Sequence, residues 1–248
     1  MTILSIILWS VLVLAVLVAA GFFARAVVDN PRDDPNIGFL AMVVRVYLRL
    51  VHRVRYEGLE NIPEGRSPGR LVVVCNHTAG VDPMLVHAVV PFDIRWMMAS
   101  DMRVPVLEPF WKWMRLIDVD RFHSDARSAL EALRAIRRGE VLGIFPEGGL
   151  ERPPRRLLPF MPGVGMLVKK TGARVLPVVI DGTPQVDPAF ASLWHTSRAH
   201  VRFMPVIDYS HSGMGSEEIA HDLQRRYAAW TGWPINTVSA GRSTFAEA

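Results

Sequence analysis

Apolar residues follow three patterns along this chain, and the first of them is an uninterrupted run. No charged residue occurs from Ile3 to Phe23. At about 1.5 Å per residue, a helix of this length is roughly 30 Å long, which matches the hydrocarbon core of a bilayer. A cleaved signal peptide is the alternative, but its basic leading region is missing and the run is too long. The pattern therefore predicts an uncleaved transmembrane helix.

The orientation of this helix follows from the charges beside it. The first basic residues, Arg25 and Arg32, come after the apolar run, and further arginines follow them. Because basic residues near a membrane helix stay on the cytoplasmic side, we expect a single-pass anchor with the rest of the chain in the cytoplasm.

The second pattern is a helical repeat of apolar residues. It follows a loop at 28–36 that is rich in proline and aspartate. The apolar positions of the repeat are Phe39, Leu40, Val43, Val44, Tyr47 and Val51. Arg45, Arg49 and Arg53 lie four residues apart and occupy the opposite face. Such a helix fits equally well among anionic lipid headgroups or packed on a globular domain with its arginines in solvent.

The third pattern is an alternation of short apolar runs with amphipathic segments. Strands are predicted at 71–75, 94–99, 116–120, 141–145, 174–180 and 200–207. Helices are predicted at 83–90, 106–115, 124–138, 163–171 and 216–230. The clearest helix begins at a Ser124 cap and stops at Gly139. This order predicts an α/β fold with a single central, mostly parallel or mixed sheet covered by helices on both faces.

The composition agrees with a membrane-associated domain. Half of the 248 residues are hydrophobic, the net charge is +4, the pI is about 9.6 and the mean hydropathy is +0.20. A basic surface of this modest strength suits anionic lipid or phosphate, and a nucleic-acid binder would concentrate more lysine and arginine. We expect an anchor at 1–27, a loop and surface helix at 28–60, one α/β domain at 61–238 and a small, polar, disordered tail at 239–248.

Candidate chemistry begins where the first strand of this domain ends. Leu71 to Cys75 is a buried apolar run, and Asp82-Pro83 resembles the cap and first residue of a helix. His77 and Asp82 therefore lie at the carboxyl end of a strand, where open α/β sheets bind ligands. The aspartate can hydrogen-bond one imidazole nitrogen and leave the other free to accept a proton.

Three further blocks follow in order. Leu116 to Asp120 ends at Arg121, whose planar guanidinium suits phosphate. The strand 141–145 runs directly into Pro146-Glu147-Gly148-Gly149, where glycine allows close approach of a ligand. The strand 174–180 contains Pro177, which removes one ladder hydrogen bond and predicts a sheet edge or a bulge.

Together these blocks resemble the glycerolipid acyltransferase family, typified by bacterial 1-acylglycerol-3-phosphate acyltransferase. His77 and Asp82 match its His-x-x-x-x-Asp signature, and Phe145-Pro146-Glu147-Gly148 matches its Phe-Pro-Glu-Gly block. The resemblance implies a general base, His77, oriented by Asp82. It implies substrate-binding roles for Asn76, Arg121, Glu147, Gly148 and Pro177.

The chain departs from the family pattern at one place. Gly149-Leu150 stand where the family usually has Thr-Arg, so its phosphate-binding arginine is missing. Arg152, Arg155 and Arg156 follow within one loop and could supply the charge; the alternative is a solvated basic loop. We assign the substituting role to Arg152.

The resemblance implies transfer of a fatty acyl group from acyl-CoA or acyl carrier protein to the free hydroxyl of 1-acylglycerol-3-phosphate, giving phosphatidic acid. It implies no metal and no cofactor, because a thioester is already activated. The expected partners are lysophosphatidic acid or another lysolipid, the acyl donor and an anionic membrane surface, with no nucleic acid. Alternatives are the same chemistry on another lysophospholipid or an acylated amino-acid lipid, a lipid ester or thioester hydrolase, and a lipid-binding protein without catalysis.

The single cysteine, Cys75, permits no intrachain disulfide and no cysteine-based metal site. On a strand it faces the same side as His77, so a Cys–His nucleophile is conceivable. Its place at the end of an apolar run favours a buried, inert thiol instead.

Overall fold

The computed structural model describes residues 2–120 and 126–236, and the chain forms two compact units, 1–47 and 48–248. In the first unit, α1 (Ile3–Val28) is long and apolar enough to cross a membrane by length and composition. Asn30 shapes the turn that follows, because its side-chain amide donates to the carbonyls of Val27 and Asp34. The predicted transmembrane segment is therefore a single helix, which continues five residues past Phe23.

Helix α2 (Pro35–Leu50) corresponds to the predicted surface helix. It ends earlier than the spacing of Arg45, Arg49 and Arg53 predicted. Val51 and Arg53 lie beyond it, and Arg53 has a positive φ of 44°. The backbone turns here because the amides of His52 and Val54 both donate to the carbonyl of Leu48. The prediction that Arg53 shares a helical face with Arg45 and Arg49 is therefore wrong.

Seven strands in the described part of the chain form one sheet. They are β1 (Arg55–Glu57), β2 (Leu71–Cys75), β3 (Ile94–Ala99), β4 (Ile117–Val119), β5 (Val141–Ile144), β6 (Arg174–Asp181) and β7 (His200–Phe203). Their order is β1-β7-β6-β2-β5-β3-β4, and β6 with β7 is the only antiparallel pair among them. The predicted mixed, mostly parallel sheet is confirmed. Strand β1 was not predicted, since three residues are too short for a periodic signal, and it lies outside the predicted domain 61–238.

Helices flank this sheet as predicted. They are α3 (Asp82–His87), α4 (Glu108–Trp113), α5 (Ala126–Arg137), α6 (Gly163–Thr171) and α7 (Ser216–Thr231). The main core contains apolar residues of α5, α6 and α7 together with Val72, Val74 and Leu142 of the central strands. The predicted Ser124 cap and the tail at 239–248 lie outside the described residues, whereas Gly139 follows α5 with a φ of 84°, as a helix stop requires.

Pro177 does not lie at a sheet edge, because β6 is hydrogen-bonded on both sides and Pro177 is opposite Val74 of β2. The predicted bulge occurs on the side of β6 that pairs with β7 and the residues after it. Val175 is opposite Ile207 and Val178 is opposite Phe203, so three residues along β6 correspond to four along the antiparallel segment. The extra residue is accommodated next to Pro177, whose carbonyl accepts the amide of Met204.

Strands β2 and β6 are bridged by two side chains near their carboxyl ends. The Tyr227 hydroxyl accepts the amide of Val178 at 3.0 Å and donates to the carbonyl of Val74 at 2.6 Å. One step further, the Asn76 side chain accepts the amide of Ile180 and donates to its carbonyl. Because buried backbone groups need partners, these two side chains continue the hydrogen bonding of the sheet up to the residue before His77.

Replacing Tyr227 with phenylalanine is therefore expected to destabilise the domain by about 1–3 kcal/mol, because the buried amide of Val178 loses its partner. Thermal unfolding in detergent, followed by tryptophan fluorescence, measures the change. An unchanged Tm would show that the two strands can pair directly without the hydroxyl.

Candidate active site

The carboxyl ends of β2 and β5 bring the predicted His77 and Glu147 blocks together. These strands are parallel neighbours, with Val74 opposite Ile144, so the segments after them leave the sheet side by side. The two segments are joined by hydrogen bonds. The amide of Glu151 donates to the carbonyl of His77 at 2.8 Å, and the amide of His77 donates to Oε2 of Glu147 at 3.4 Å. The His77 and Glu147 blocks, which are about 70 residues apart in the sequence, are therefore in direct contact in the structure.

His77 and Asp82 form a hydrogen-bonded pair. Nδ1 of His77 lies 3.0 Å from Oδ2 of Asp82, and the aspartate is fully buried while one fifth of the histidine side chain is exposed. A carboxylate accepts, so Nδ1 carries the proton and donates it to Asp82. The neutral ring then has its lone pair on Nε2, which is the arrangement that a general base requires.

Asp82 is held in place by its own loop. Oδ2 also accepts the amides of Thr78 at 2.6 Å and Ala79 at 2.8 Å, and Oδ1 accepts the Thr78 hydroxyl at 3.0 Å. The prediction that Asp82 caps the following helix is wrong, since Asp82 is the first residue of α3 and its cap position is Val81. The carboxylate points back to the loop, where backbone amides compensate its buried charge.

Phe145 is a site residue that sequence reasoning missed. Its ring stacks on the imidazole of His77, with centroids 3.9 Å apart and planes 20° apart, and Trp96 stacks on Phe145 at 5.2 Å. The stack restricts rotation of the imidazole about its side-chain bonds. The available signal was the position of Phe145 directly before Pro146-Glu147, at the end of a strand.

Glu147 is almost completely buried beside this pair. Burial, with a smaller contribution from the nearby Glu151 carboxylate, raises the pKa of Glu147 well above its usual value. Its Oε1 is buried without a hydrogen-bond partner among the described residues. Burial therefore disfavours the ionised form of Glu147 relative to an exposed glutamate.

A second buried carboxyl group, Glu151, was also missed. Its Oε1 accepts the side-chain amide of Gln185 at 2.5 Å and the backbone amide of Arg155 at 3.3 Å. Burial raises its pKa from 4.5 to about 7. The sequence offered no signal beyond an acidic residue in a basic loop, because the burial of this loop depends on the contact with His77.

Glu151 is expected to make stability fall with pH. An unfolded glutamate ionises near pH 4.5 and the folded one near 7, so folding takes up a proton between these values. The free energy of unfolding then decreases across this interval by at most about 3 kcal/mol. Glu151→Gln should remove this component. Thermal unfolding at pH 5, 6, 7 and 8 tests it, with the exposed Glu60→Gln as control. Parallel pH dependence in wild type and Glu151→Gln would refute the prediction.

Arg152 is engaged inside the protein. Its five N–H groups donate to the Asp187 carboxylate, twice, and to the carbonyls of Thr78, Glu151 and Val186, at 2.8–3.3 Å. Its predicted contact with substrate would require breaking one of these bonds. Arg155 is largely exposed and pairs with Asp181 at 3.3 Å. Arg121 lies outside the described residues, so its predicted role stays a prediction.

The remaining predicted positions have structural contacts, and their substrate-binding roles stay predictions. Gly148 has a φ of 69°, and a Cβ there would lie 2.7 Å from Sδ of Met161, so the turn after Glu147 requires glycine. Asn76 is fully buried, with its amide bonded to Ile180. No group of three metal-binding side chains occurs within residues 2–120 and 126–236.

Cys75 is fully buried, and this burial raises the pKa of its thiol well above the usual value. A thiol in this state is a poor nucleophile, because the reactive form is the thiolate. Cys75→Ala is therefore expected to retain most of the activity, measured as the initial rate of the folded variant. Loss of the reaction in this variant would restore a Cys–His nucleophile.

The fold and the site define an α/β protein with a His–Asp pair at the carboxyl end of a mixed sheet, beside a buried glutamic acid. The model of the family described as Acyltransferase matches residues 53–181, and the chain belongs to this family. The match covers all of the strands except β7 and includes both the His77 and the Glu147 blocks.

Individual relatives agree with this assignment. The chain is 32% identical over 130 residues to a protein of Borreliella burgdorferi, and 27% identical over 112 residues to one of Bacillus subtilis, both named 1-acyl-sn-glycerol-3-phosphate acyltransferase. The matches cover 51% and 44% of this chain, and 50% and 55% of those proteins. The chain therefore spans about half the length of these relatives.

A solved structure confirms the fold. The 1-acyl-sn-glycerophosphate acyltransferase of Thermotoga maritima superposes with a TM-score of 0.63 at 22% identity, over 85% of each chain. At this identity the likeness shows the architecture alone.

Proposed function

We propose that this protein is a membrane-bound O-acyltransferase that moves a fatty acyl group from a thioester, acyl-CoA or acyl carrier protein, to the free hydroxyl of 1-acylglycerol-3-phosphate. The product is phosphatidic acid. The names of the relatives support this acceptor, and the apolar helix α1 supports a membrane location. The arginines after α1 favour a catalytic domain on the cytoplasmic side.

The observation that carries the proposal is the His77–Asp82 pair. Nδ1 of His77 donates to the Asp82 carboxylate, which three other donors hold in place. Nε2 of His77 is therefore the proton acceptor. His77 removes the proton of the acceptor hydroxyl while that oxygen attacks the thioester carbonyl, and the buried charge of Asp82 stabilises the imidazolium that forms. The thiol leaves with the proton, so transfer is direct and needs no covalent intermediate.

A second candidate keeps this chemistry and changes the acceptor to another lysophospholipid or an acylated amino-acid lipid. The geometry of Arg152 favours this variant, because all five of its N–H groups have protein partners and Leu150 stands where the family has an arginine. For the phosphate monoester, Arg121, Arg155 or Arg156 would have to supply the charge.

An acceptor panel distinguishes the two candidates. Purified protein in detergent is supplied with labelled acyl-CoA, and then with acyl carrier protein, together with lysophosphatidic acid, lysophosphatidylethanolamine, lysophosphatidylglycerol and a lyso amino-acid lipid. Labelled phosphatidic acid supports the first candidate. Transfer to another acceptor alone supports the second, and labelled free fatty acid without transfer contradicts both.

A further inference from the structure

An exposed apolar segment lies between β3 and β4. Val104, Val106 and Leu107 precede Phe110 on α4, and all four side chains are exposed, with Val106 at 82%. A bulky apolar side chain left in water costs about 1.5–3 kcal/mol relative to burial. Exposed apolar side chains that cluster in this way are typical of contact surfaces.

A second exposed apolar residue lies on a short helix that contacts α4. Trp194 ends the 3₁₀ helix Ala189–Trp194 and is 86% exposed. The same short helix contacts α4, because the ring of Phe190 stacks on that of Trp111 with centroids 6.3 Å apart. We name Val104, Val106, Leu107, Phe110 and Trp194 the apolar rim.

The 3₁₀ helix that carries Trp194 also contacts the active-site loop. A Cβ on Gly80, which lies between His77 and Asp82, would come within 2.5 Å of the carbonyl oxygen of Ala189. The 3₁₀ helix that carries Trp194 therefore packs directly on the loop that carries the His–Asp pair.

Basic residues accompany the apolar rim. Lys112, which is 75% exposed, follows Phe110 and pairs with Glu108 at 3.6 Å. Arg115 pairs with Asp93 and Glu140, and the exposed Arg198 follows Trp194. Apolar side chains flanked by lysine and arginine are the composition of surfaces that lie in a membrane interface, where cations attract anionic headgroups.

We propose that the apolar rim is a second membrane contact, in addition to α1, and that it inserts into the headgroup–acyl boundary of an anionic bilayer. The inference rests on the proposed function, because a lipid acceptor reaches His77 most directly if the adjoining surface lies in the bilayer. Trp194 and Val106 are the residues that insert, since they are the most exposed.

Fluorescence quenching by lipid tests the proposal without requiring turnover. Two single-cysteine variants are made in a Cys75→Ala background. Val106→Cys probes the rim, and Leu130→Cys, on the exposed face of α5, is the matched control. Each cysteine is labelled with an environment-sensitive nitrobenzoxadiazole dye. Each full-length variant is placed in nanodiscs of phosphatidylcholine and phosphatidylglycerol, 3:1, with or without doxyl-labelled lipid. We expect a blue-shifted emission and at least twofold quenching at position 106, and neither at 130. Equal, weak quenching at both positions overturns the proposal, because it shows that lipid does not contact the rim.

Kinetics provide a second, separate test. Val106→Asp combined with Trp194→Ser is expected to lower kcat/KM about tenfold for a long-chain lysolipid embedded in nanodiscs. The rate with a short-chain, water-soluble lysolipid should stay within about twofold of wild type. Equal losses on both substrates contradict a membrane role, because they place the rim in the fold or in the substrate path. If no acceptor is acylated, the proposed function fails while the quenching result still decides the membrane contact.

Discussion

Replacing His77 with alanine is expected to lower the rate of acyl transfer by about 10³-fold, with the fold intact. The size follows from the usual contribution of a positioned general base, about 10²–10⁴-fold. The fold should survive because the His77 ring contacts Asp82 and Phe145 at a partly exposed position, outside the main core. Initial rates of labelled diacyl product, with equal amounts of protein of matched Tm, measure the effect.

His200 provides the control for this substitution. Its Nε2 lies 2.9 Å from a carboxylate oxygen of Glu57, so it is also a histidine paired with an acidic residue, but on β7 and β1, which β6 separates from β2. His200→Ala should leave the rate within about twofold of wild type. A comparable loss in both variants would mean that His77 acts through stability and not through proton transfer.

Two substitutions of Asp82 are expected to separate its charge from its hydrogen bonds. Asparagine can keep one oxygen toward the amides of Thr78 and Ala79, and its NH₂ can donate to the Thr78 hydroxyl. Asp82→Asn should therefore fold with a small change in Tm and lose about 10²–10³ in rate, because a neutral group cannot stabilise the imidazolium. Asp82→Ala should lose the same activity and also about 2–4 kcal/mol of stability, since two buried amides lose their acceptor.

The buried Asp222 is the matched control for Asp82. It accepts the Tyr209 hydroxyl at 2.7 Å and pairs with Arg226, on α7. Asp222→Ala should lower Tm without a selective effect on the turnover of the folded fraction. If Asp82→Asn keeps wild-type activity, the pair does not work as a charged dyad, and the role of Asp82 reduces to holding the loop.

The strands and helices of the core were largely predictable, because each carries its own periodicity. The strand 94–99 and the helix 163–171 were predicted at the bounds that the structure gives. The misses have local causes. Strand β1 is too short to show alternation, and α2 ends at Leu50 because of backbone bonds that arginine spacing does not reveal.

The site was predictable as a set of motifs and not as a geometry. His77, Asp82 and Glu147 were named because they follow predicted strands and because their blocks, in this order, resemble those of the acyltransferase family. The positions of Phe145, Tyr227 and Glu151 depend on contacts between segments far apart in sequence. The partners of Arg152 depend on such contacts as well, so its charge could be predicted but its availability could not.

The stoichiometry of thiol release and acyl transfer tests the central claim most directly. Purified protein is supplied with labelled acyl-CoA, with and without the acceptor selected by the panel, and free thiol and labelled diacyl lipid are measured in the same samples. We predict that thiol release requires the acceptor, equals the diacyl product one to one, and is lost in His77→Ala. Thiol release without acceptor, matched by free fatty acid, or release that persists in His77→Ala would contradict a direct transfer in which His77 activates the acceptor hydroxyl.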